Sequence, residues 1–402
     1  LSLTLLLDLD NTLLVNHMHD FVPAYVQAFA GFMSDYLPAE QFVGALMAGT
    51  DRMMANRRPD CTLREIFEET FYPAARIDRG VFEPLAERFY REIFPALRRV
   101  TQPKPGAQAL VEEALARGYD LVLATDPAFP NTAVQQRLVW AGLPPDKYPF
   151  RLIPSYERMH FTKSETAYFA ELLAWIGWPD GPVVMVGDSF ERDIAPAQRM
   201  GLPSFWVSPQ GKSATGDTPL GTGEIGEVLG WIDSLPADRL SPDYSTPSAI
   251  LATLRATPAA LDNLCRDLPP SDWSYHPAEE EWCLNEIVCH LRDVESQVNL
   301  PRLRKVLQDV NPFMPGMDTD AWALERNYHD QDGPRALHSF TTARLEILET
   351  LEELPLEAWQ RVARHAIFGP TSLEELVGFT TSHDRMHIQQ IQRTLMATRA
   401  AS

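Results

Sequence analysis

The sequence predicts two folded regions of different class: an α/β domain on a parallel sheet, broken early by a helical insert, followed by an all-α four-helix bundle. Three observations carry this. The apolar opening run Leu3-Thr4-Leu5-Leu6-Leu7 stops at two acids, Asp8 and Asp10, as a buried strand of a parallel sheet does. From Lys104 onward short apolar runs alternate with helical stretches, the pattern of successive βα units. Beyond Thr246 the helical period dominates.

The 402 residues leave room for two or three domains with sizeable cores. No run of about eighteen apolar residues occurs, so no membrane span is expected. The apolar start is too short, and too soon interrupted by Asp8, for a signal peptide. Four cysteines (Cys61, Cys265, Cys283, Cys289) form no C-x-x-C pair, which points to a reducing cytoplasm. The net charge of −20 is spread over both halves, with 14 Lys+Arg against 23 Asp+Glu from Thr246 onward. No basic stripe exists to neutralise phosphates, so nucleic-acid binding is not expected.

Asp8 and Asp10 lie two residues apart at a strand end, so both carboxylates point the same way off the pleat. Ligands of open α/β sheets bind at that edge. Two carboxylates held together repel unless a cation or shared proton intervenes, and oxygen ligands in this arrangement suit Mg²⁺. The next stretch, about residues 16–100, reads as helices around Phe21–Tyr36, Phe42–Met54, Leu63–Tyr72 and Phe82–Leu97, with Thr62 and Glu65 as a capping box. Then come a helix from Ala107 to Arg117 and a strand, Tyr119–Ala124, leading to Thr125. Lys163 precedes a helix running to Ile176. The buried strand Val183–Val186 is followed by Gly187-Asp188 and, five residues on, Asp193; another strand ends at Val207. Gly221-Thr222-Gly223-Glu224-Ile225-Gly226 spells a dinucleotide fingerprint but lacks an immediately preceding strand. A polar loop with two prolines separates it from Val207, so it reads as a flexible loop before a helix around Val228–Ile232.

Asp8-Leu9-Asp10-Asn11-Thr12, Thr125, Lys163 and Gly187-Asp188 with Asp193 resemble, in order, the four motifs of the haloacid-dehalogenase-like (HAD) hydrolases. The resemblance implies a Rossmann-like core over residues 1–236, with the insert as a helical cap of the first type. It implies a Mg²⁺-dependent phosphatase on a small phosphorylated metabolite. Asp8 would be the nucleophile and Asp10 the general acid and base; Thr125 and Lys163 would hold the phosphoryl oxygens. Asp8, Asp10, Asp188 and Asp193 would serve the metal, Asp10 through its backbone carbonyl and Asp193 as a further ligand or by orienting Lys163. The sequence departs from the family at Asp126-Pro127, where Asn commonly follows Thr125, and at Ser164, where Pro commonly follows Lys163. Dehalogenation does not call for the second acid, Asp10; phosphonate cleavage would need a cap lysine, and none lies between Leu14 and Lys104. A phosphomutase stays open. Arg57, Arg58 and Arg64 in the cap are candidates to meet an anionic substrate.

Residues 237–247 are proline-rich and without period, so they read as a linker. Residues 248–402 then carry helices at Ala249–Leu268, Glu281–Val310 (with Pro301 kinking or breaking it), Arg335–Leu354 and Ser372–Met396, the content of a four-helix bundle. His383 and His387 stand at i,i+4 on one inward stripe, a spacing that lets two rings meet one metal. His290 lies on a comparable stripe of the second helix. Glu281-Trp282-Cys283-Leu284-Asn285-Glu286-Ile287-Val288-Cys289-His290-Leu291 and His383-Asp384-Arg385-Met386-His387 are similar to the two signatures of DinB-like metal-binding bundles. Asn311–Pro315 and Phe368–Pro370 also fit that family. The resemblance implies a divalent metal, Zn²⁺ or Ni²⁺, on His290, His383 and His387, with an open coordination position. Some relatives move a low-molecular-weight thiol onto an electrophile. The alternative function is therefore a thiol-dependent S-transferase or a metal-sensing module with the first domain as accessory.

Overall fold

The computed structural model describes residues 2–208 and 220–401. The prolines between Val207 and Gly221 fall outside the described residues. The chain divides into two compact units, Leu1–Leu172 with Pro179–Asp243, and Leu173–Trp178 with Tyr244–Ser402.

In the first unit the strands, in chain order, are β1 (Thr4–Leu7), β2 (Leu14–Val15), β3 (Gln102–Pro103), β4 (Asp120–Leu123), β5 (Val183–Gly187), β6 (Ser204–Val207) and β7 (Gly221–Gly223). Five of them make an all-parallel sheet in the order β4-β1-β5-β6-β7. Leu7 faces Leu123 on one side and Val186 on the other, so the ends of β4, β1 and β5 come level. That register places the segments after Leu7, Leu123 and Gly187 along one sheet edge. β1 and β5 are buried throughout, which is why both read as continuous apolar runs.

The insert is α1 (Met18–Met33), α2 (Ala39–Met54), α3 (Leu63–Ala75) and α4 (Arg79–Glu92), closed by a 3₁₀ turn, Phe94–Val100. Its core is aromatic: Phe29 stacks on Phe89 at 4.0 Å between centroids, and Phe71 meets Phe82 at 4.5 Å. The Thr62–Glu65 capping box forms at the start of α3. The insert leaves and rejoins the core through β2 and β3, which pair antiparallel as a two-stranded ribbon. The remaining helices are α5 (Ala107–Ala116), α6 (Asn131–Trp140), α7 (Thr166–Trp175), α8 (Ala195–Arg199) and α9 (Val228–Asp233).

The glycines at 221 and 223 are not a loop. They form the edge strand β7, parallel to β6. A Cβ at Gly221 would lie 2.4 Å from the Trp231 ring and 2.7 Å from that of Phe205, so glycine is required by close packing. A glycine chosen for that reason resembles a turn glycine in sequence.

The second unit contains α10 (Pro247–Cys265), α11 (Pro270–Trp273), α12 (Leu284–Val294), α13 (Leu300–Gln308), α14 (Trp322–Glu325), α15 (Gly333–Glu352) and α16 (Leu373–Ala401). The bundle consists of α10, α12 continued by α13, α15 and α16, with Leu254, Leu303, Leu348 and Val377 in its core. A π turn, Glu295–Asn299, separates α12 from α13 just before Pro301, which is the break that proline imposes. The linker is shorter than 237–247. Ala237–Leu240 form a 3₁₀ turn with Leu240 buried, and α10 already starts at Pro247, capped by the Thr246 hydroxyl. The unit also holds a small sheet without a counterpart in the sequence reading: β8 (Phe313–Met314), β9 (Val362–His365) and β10 (Gly369–Ser372), in the order β10-β9-β8.

Candidate active site and candidate metal centre

Asp8 follows β1 directly and is buried. Its backbone N–H donates to the Val186 carbonyl at 3.0 Å, which ties the acid to β5. The chain then turns sharply: Asn11 adopts φ of +59°, which asparagine tolerates, and its Oδ1 accepts the Asn16 N–H at 3.1 Å. Asp188 follows β5, and Asp193 sits on the π turn Phe190–Ile194, where its Oδ2 accepts the Ser189 N–H at 2.9 Å. A Cβ at Gly187 would fall 2.3 Å from Asp193 Oδ2, so this glycine makes room for the acid. Asp8, Asp188 and Asp193 offer carboxylate oxygens within 4.8 Å of one another.

Lys163 is buried beside them; its Nζ donates to Asp8 Oδ1 at 2.6 Å and pairs with Asp193. Thr125 is buried just beyond β4, and its hydroxyl has no hydrogen-bond partner among the described residues. The Asp10 side chain is not part of the three-carboxylate group. It turns to Asn16 Nδ2, at 2.7 Å, and to the guanidinium of Arg137. Arg137, on α6, is buried between the rings of Phe21 and Phe129; no sequence signal marked it, because a single arginine in a short mixed helix reads as surface. Asp126 accepts the Lys163 backbone N–H at 3.2 Å and pairs with Arg192, so the aspartate in place of asparagine is already engaged. The Ser164 hydroxyl lies 3.0 Å from that of Thr162.

Burial pushes the Asp8 carboxyl well above the usual range; Lys163 opposes the rise, while Asp193, Asp188 and Asp10 reinforce it. Asp188 is pushed up to about 6 by burial and by Asp193. Burial works against the Lys163 ammonium, but Asp193 and Asp8 outweigh it and raise its pKa. Five carboxylates (Asp8, Asp10, Asp126, Asp188, Asp193) and three cations (Arg137, Lys163, Arg192) line one cavity, an excess of two negative charges. One divalent cation among oxygen ligands matches that excess and would relieve the strain on Asp8. The residues present therefore fit Mg²⁺. The cavity, about 520 Å³, extends from these residues under the helical insert.

The second constellation lies in the bundle. His290 on α12 and His383 and His387 on α16 converge: His383 Nε2 is 3.1 Å from Nε2 of His290 and 3.1 Å from Nε2 of His387. Ligand bonds of about 2.0–2.1 Å in tetrahedral geometry put nitrogens roughly 3.3 Å apart, so three such imidazoles fit one cation. His387 Nδ1 lies 2.8 Å from Gln390 Oε1, which makes Nδ1 the donor and leaves the Nε2 lone pair inward. Burial lowers all three rings, His290 and His383 to about 3, with neighbouring imidazoles adding to the effect at both. Neutral imidazole is the form that binds metal. Trp282 covers the group, its ring 5.0 Å from that of His290 and parallel to that of His387 at 6.2 Å. A cavity of about 210 Å³ reaches His383.

His276, Cys283 and His329 also approach one another. There Cys283 caps α12 with its thiol pushed up to about 12 by burial, while the rings bond the Glu281 carbonyl and Asp330.

Residues 3–201 belong to the haloacid dehalogenase-like hydrolases and residues 253–391 to the DinB superfamily. A phosphoserine phosphatase of Thermus thermophilus is 31% identical over 149 residues, 36% of this chain and 55% of the relative, so the chain spans about half the length of that curated protein. Among solved structures, a HAD phosphatase from Thermococcus onnurineus is 18% identical over 57% of this chain and 97% of its own, with a TM-score of 0.38. A 2-haloacid dehalogenase from Pseudomonas syringae pv. Tomato is 22% identical over 58% and 98%, with a TM-score of 0.41. For the bundle, YfiT from Bacillus subtilis, described as a probable metal-dependent hydrolase with an unusual four-helix bundle topology, is 19% identical over 38% and 88%, with a TM-score of 0.35. By the family match over residues 3–201 the first unit is a HAD-like hydrolase domain; no helix among the described residues is long and apolar enough to cross a membrane.

Proposed function

We propose that the first unit is a Mg²⁺-dependent phosphatase acting through an aspartyl-phosphate. The observation that carries this reading is the buried Asp8 carboxylate, held at 2.6 Å by Lys163 and grouped with Asp188 and Asp193. Asp8 attacks phosphorus, forming the new P–O bond as the ester P–O bond breaks. Asp10 gives its proton to the leaving oxygen, then takes one from the water that attacks phosphorus and frees Asp8. Lys163 and the unpartnered Thr125 hydroxyl bind phosphoryl oxygens, which leaves the nucleophile and phosphorus in line. Asp8, Asp188 and Asp193, with the backbone carbonyl of Asp10, would hold Mg²⁺, whose chemistry when bound is to neutralise charge on those oxygens. Arg137 and Asn16 set where the Asp10 carboxylate points. The full chain carrying Asp8→Asn should stay folded by circular dichroism and release no phosphate above background with Mg²⁺ present. Undiminished turnover by highly purified variant protein would remove the assignment.

For the bundle we propose one transition-metal ion, Zn²⁺ or Ni²⁺, on His290, His383 and His387; imidazole nitrogens suit these borderline metals and aspartates suit Mg²⁺, so the sites do not compete. The 210 Å³ cavity reaching His383 favours a ligand-binding role there, of which transfer of a low-molecular-weight thiol is the second functional reading.

A further inference from the structure

The cavity of the first unit is divided by polarity, and the division selects its substrate. Every charged residue that lines it comes from the sheet edge or the helices behind it: Asp8, Asp10, Asp126, Arg137, Lys163, Asp188, Arg192 and Asp193. The insert contributes none. Its wall is built by Val22, Val26, Phe29, Leu46, Met53 and Phe82, with further apolar side chains between them. The polar groups on that wall are largely engaged: the Tyr25 and Tyr90 hydroxyls bond each other at 2.8 Å, and the Thr50 hydroxyl donates to the Leu46 carbonyl at 2.8 Å. Arg57, Arg58 and Arg64 do not line the cavity and pair instead with Glu165, with Asp60 and Glu69, and with Glu68 and Glu83. Each cation at the charged end is likewise matched: Lys163 with Asp8 and Asp193, Arg137 with Asp10, Arg192 with Asp126.

We infer that, given the phosphatase reading above on which this rests, the substrate is a phosphate monoester whose leaving group is apolar and uncharged. A leaving group bearing an ammonium or carboxylate would lose its hydration against the insert and find no free partner there, a cost no contact returns. A sugar or glycerol would leave its hydroxyls facing methyl and phenyl groups. At about 520 Å³ the cavity is in the range that encloses a molecule of drug size, far more than a phosphoryl group needs. The phosphoryl group sits at the carboxylate end and the carbon skeleton under the insert. Selectivity against phosphoserine-like esters follows from the wall, while the chemistry at Asp8 is common to all of them.

The test uses the full chain with Mg²⁺ and measures kcat/KM for n-alkyl phosphates from ethyl to hexyl, 1-naphthyl phosphate, O-phosphoserine and glycerol phosphate. Burial of each methylene should raise kcat/KM about fourfold, chiefly through KM, giving on the order of 10²-fold from ethyl to hexyl. Phosphoserine and glycerol phosphate should fall below butyl phosphate. Val26→Asn, at a half-buried position on α1 that lines the apolar wall, should flatten the chain-length dependence, lowering hexyl phosphate roughly tenfold more than ethyl phosphate. Turnover independent of chain length, a preference for phosphoserine or glycerol phosphate over the alkyl series, or an unaltered slope in Val26→Asn would overturn the inference and leave the phosphatase reading standing. Absence of Mg²⁺-dependent turnover with every ester would refute the phosphatase reading itself and this inference with it.

Discussion

At the scale of single residues, Asp10 and Arg137 bear most directly on the chemistry. The Asp10 carboxylate is gripped by a buried guanidinium and by Asn16, apart from the three carboxylates around Lys163, which suits work on the leaving-group side better than metal ligation. Replacing Asp10 with asparagine removes the proposed proton donor while keeping size and the Asn16 contact. A general acid contributes roughly 10²–10⁴-fold where the leaving oxygen needs a proton, so the loss should fall on alkyl phosphates and largely spare a nitrophenyl ester. Equal loss on both, measured by phosphate release, would assign Asp10 to folding or to the metal instead. The grouping of Asp8, Lys163, Asp188 and Asp193 was foreshadowed in the sequence by acids at strand ends and, for Lys163 as for Thr125, only by the order and spacing of the motifs they resemble. Arg137 was not, and Trp282, though it stands in the bundle's first signature, had no place over the histidines that the sequence could assign. What sets them apart is which side of a helix or turn meets the site, and one residue carries no period from which to read that.

Among the elements, α16 is the most constrained. His383 and His387 face the candidate metal centre, and between them Asp384 is buried and bidentate with Arg344 of α15, at 2.6 and 3.1 Å. Arg344 also pairs with buried Glu295, at the π turn after α12, so one guanidinium ties together the two helices that carry the three histidines. Asp384 and Glu295 outweigh the burial that opposes its charge. Arg344→Met keeps comparable bulk but strands two buried carboxylates. Breaking such a pair costs about 3–5 kcal/mol, which should appear as a lowered urea midpoint for the transition that carries the bundle's helical signal. A shift below about 1 kcal/mol would mean that water reaches the carboxylates. The i,i+3/i+4 stripes made these helices legible. The π turn was foreshadowed by Pro301 alone, and β2, β3 and β8 escaped because two-residue strands have no alternation to read.

For the molecule as a whole, one chain carries two groups of side chains able to hold a cation, of opposite ligand chemistry: carboxylates in one unit and imidazoles in the other. The purified 402-residue chain should therefore hold about one equivalent of Zn²⁺ or Ni²⁺ after dialysis against Mg²⁺ buffer. His383→Ala and His387→Ala should each lose most of it, and the triple alanine variant all of it, with helical content retained because the bundle has its own apolar core. Metal analysis alongside circular dichroism checks both halves of the expectation. Metal retained by the triple variant would leave the histidines as core residues.

The β2–β3 ribbon has a consequence for inheritance. It brings the entry and exit of the helical insert together at Leu14–Val15 and Gln102–Pro103, while Asp8, Thr125, Lys163, Asp188 and Asp193 all lie outside that span. An inserted segment with neighbouring ends behaves as a cassette: it can be exchanged without re-threading the host chain. Divergence between Val15 and Gln102 can thus retune which molecules are admitted while the proposed reacting groups stay fixed, and a graft of another insert onto these four residues is the natural unit of engineering for this domain.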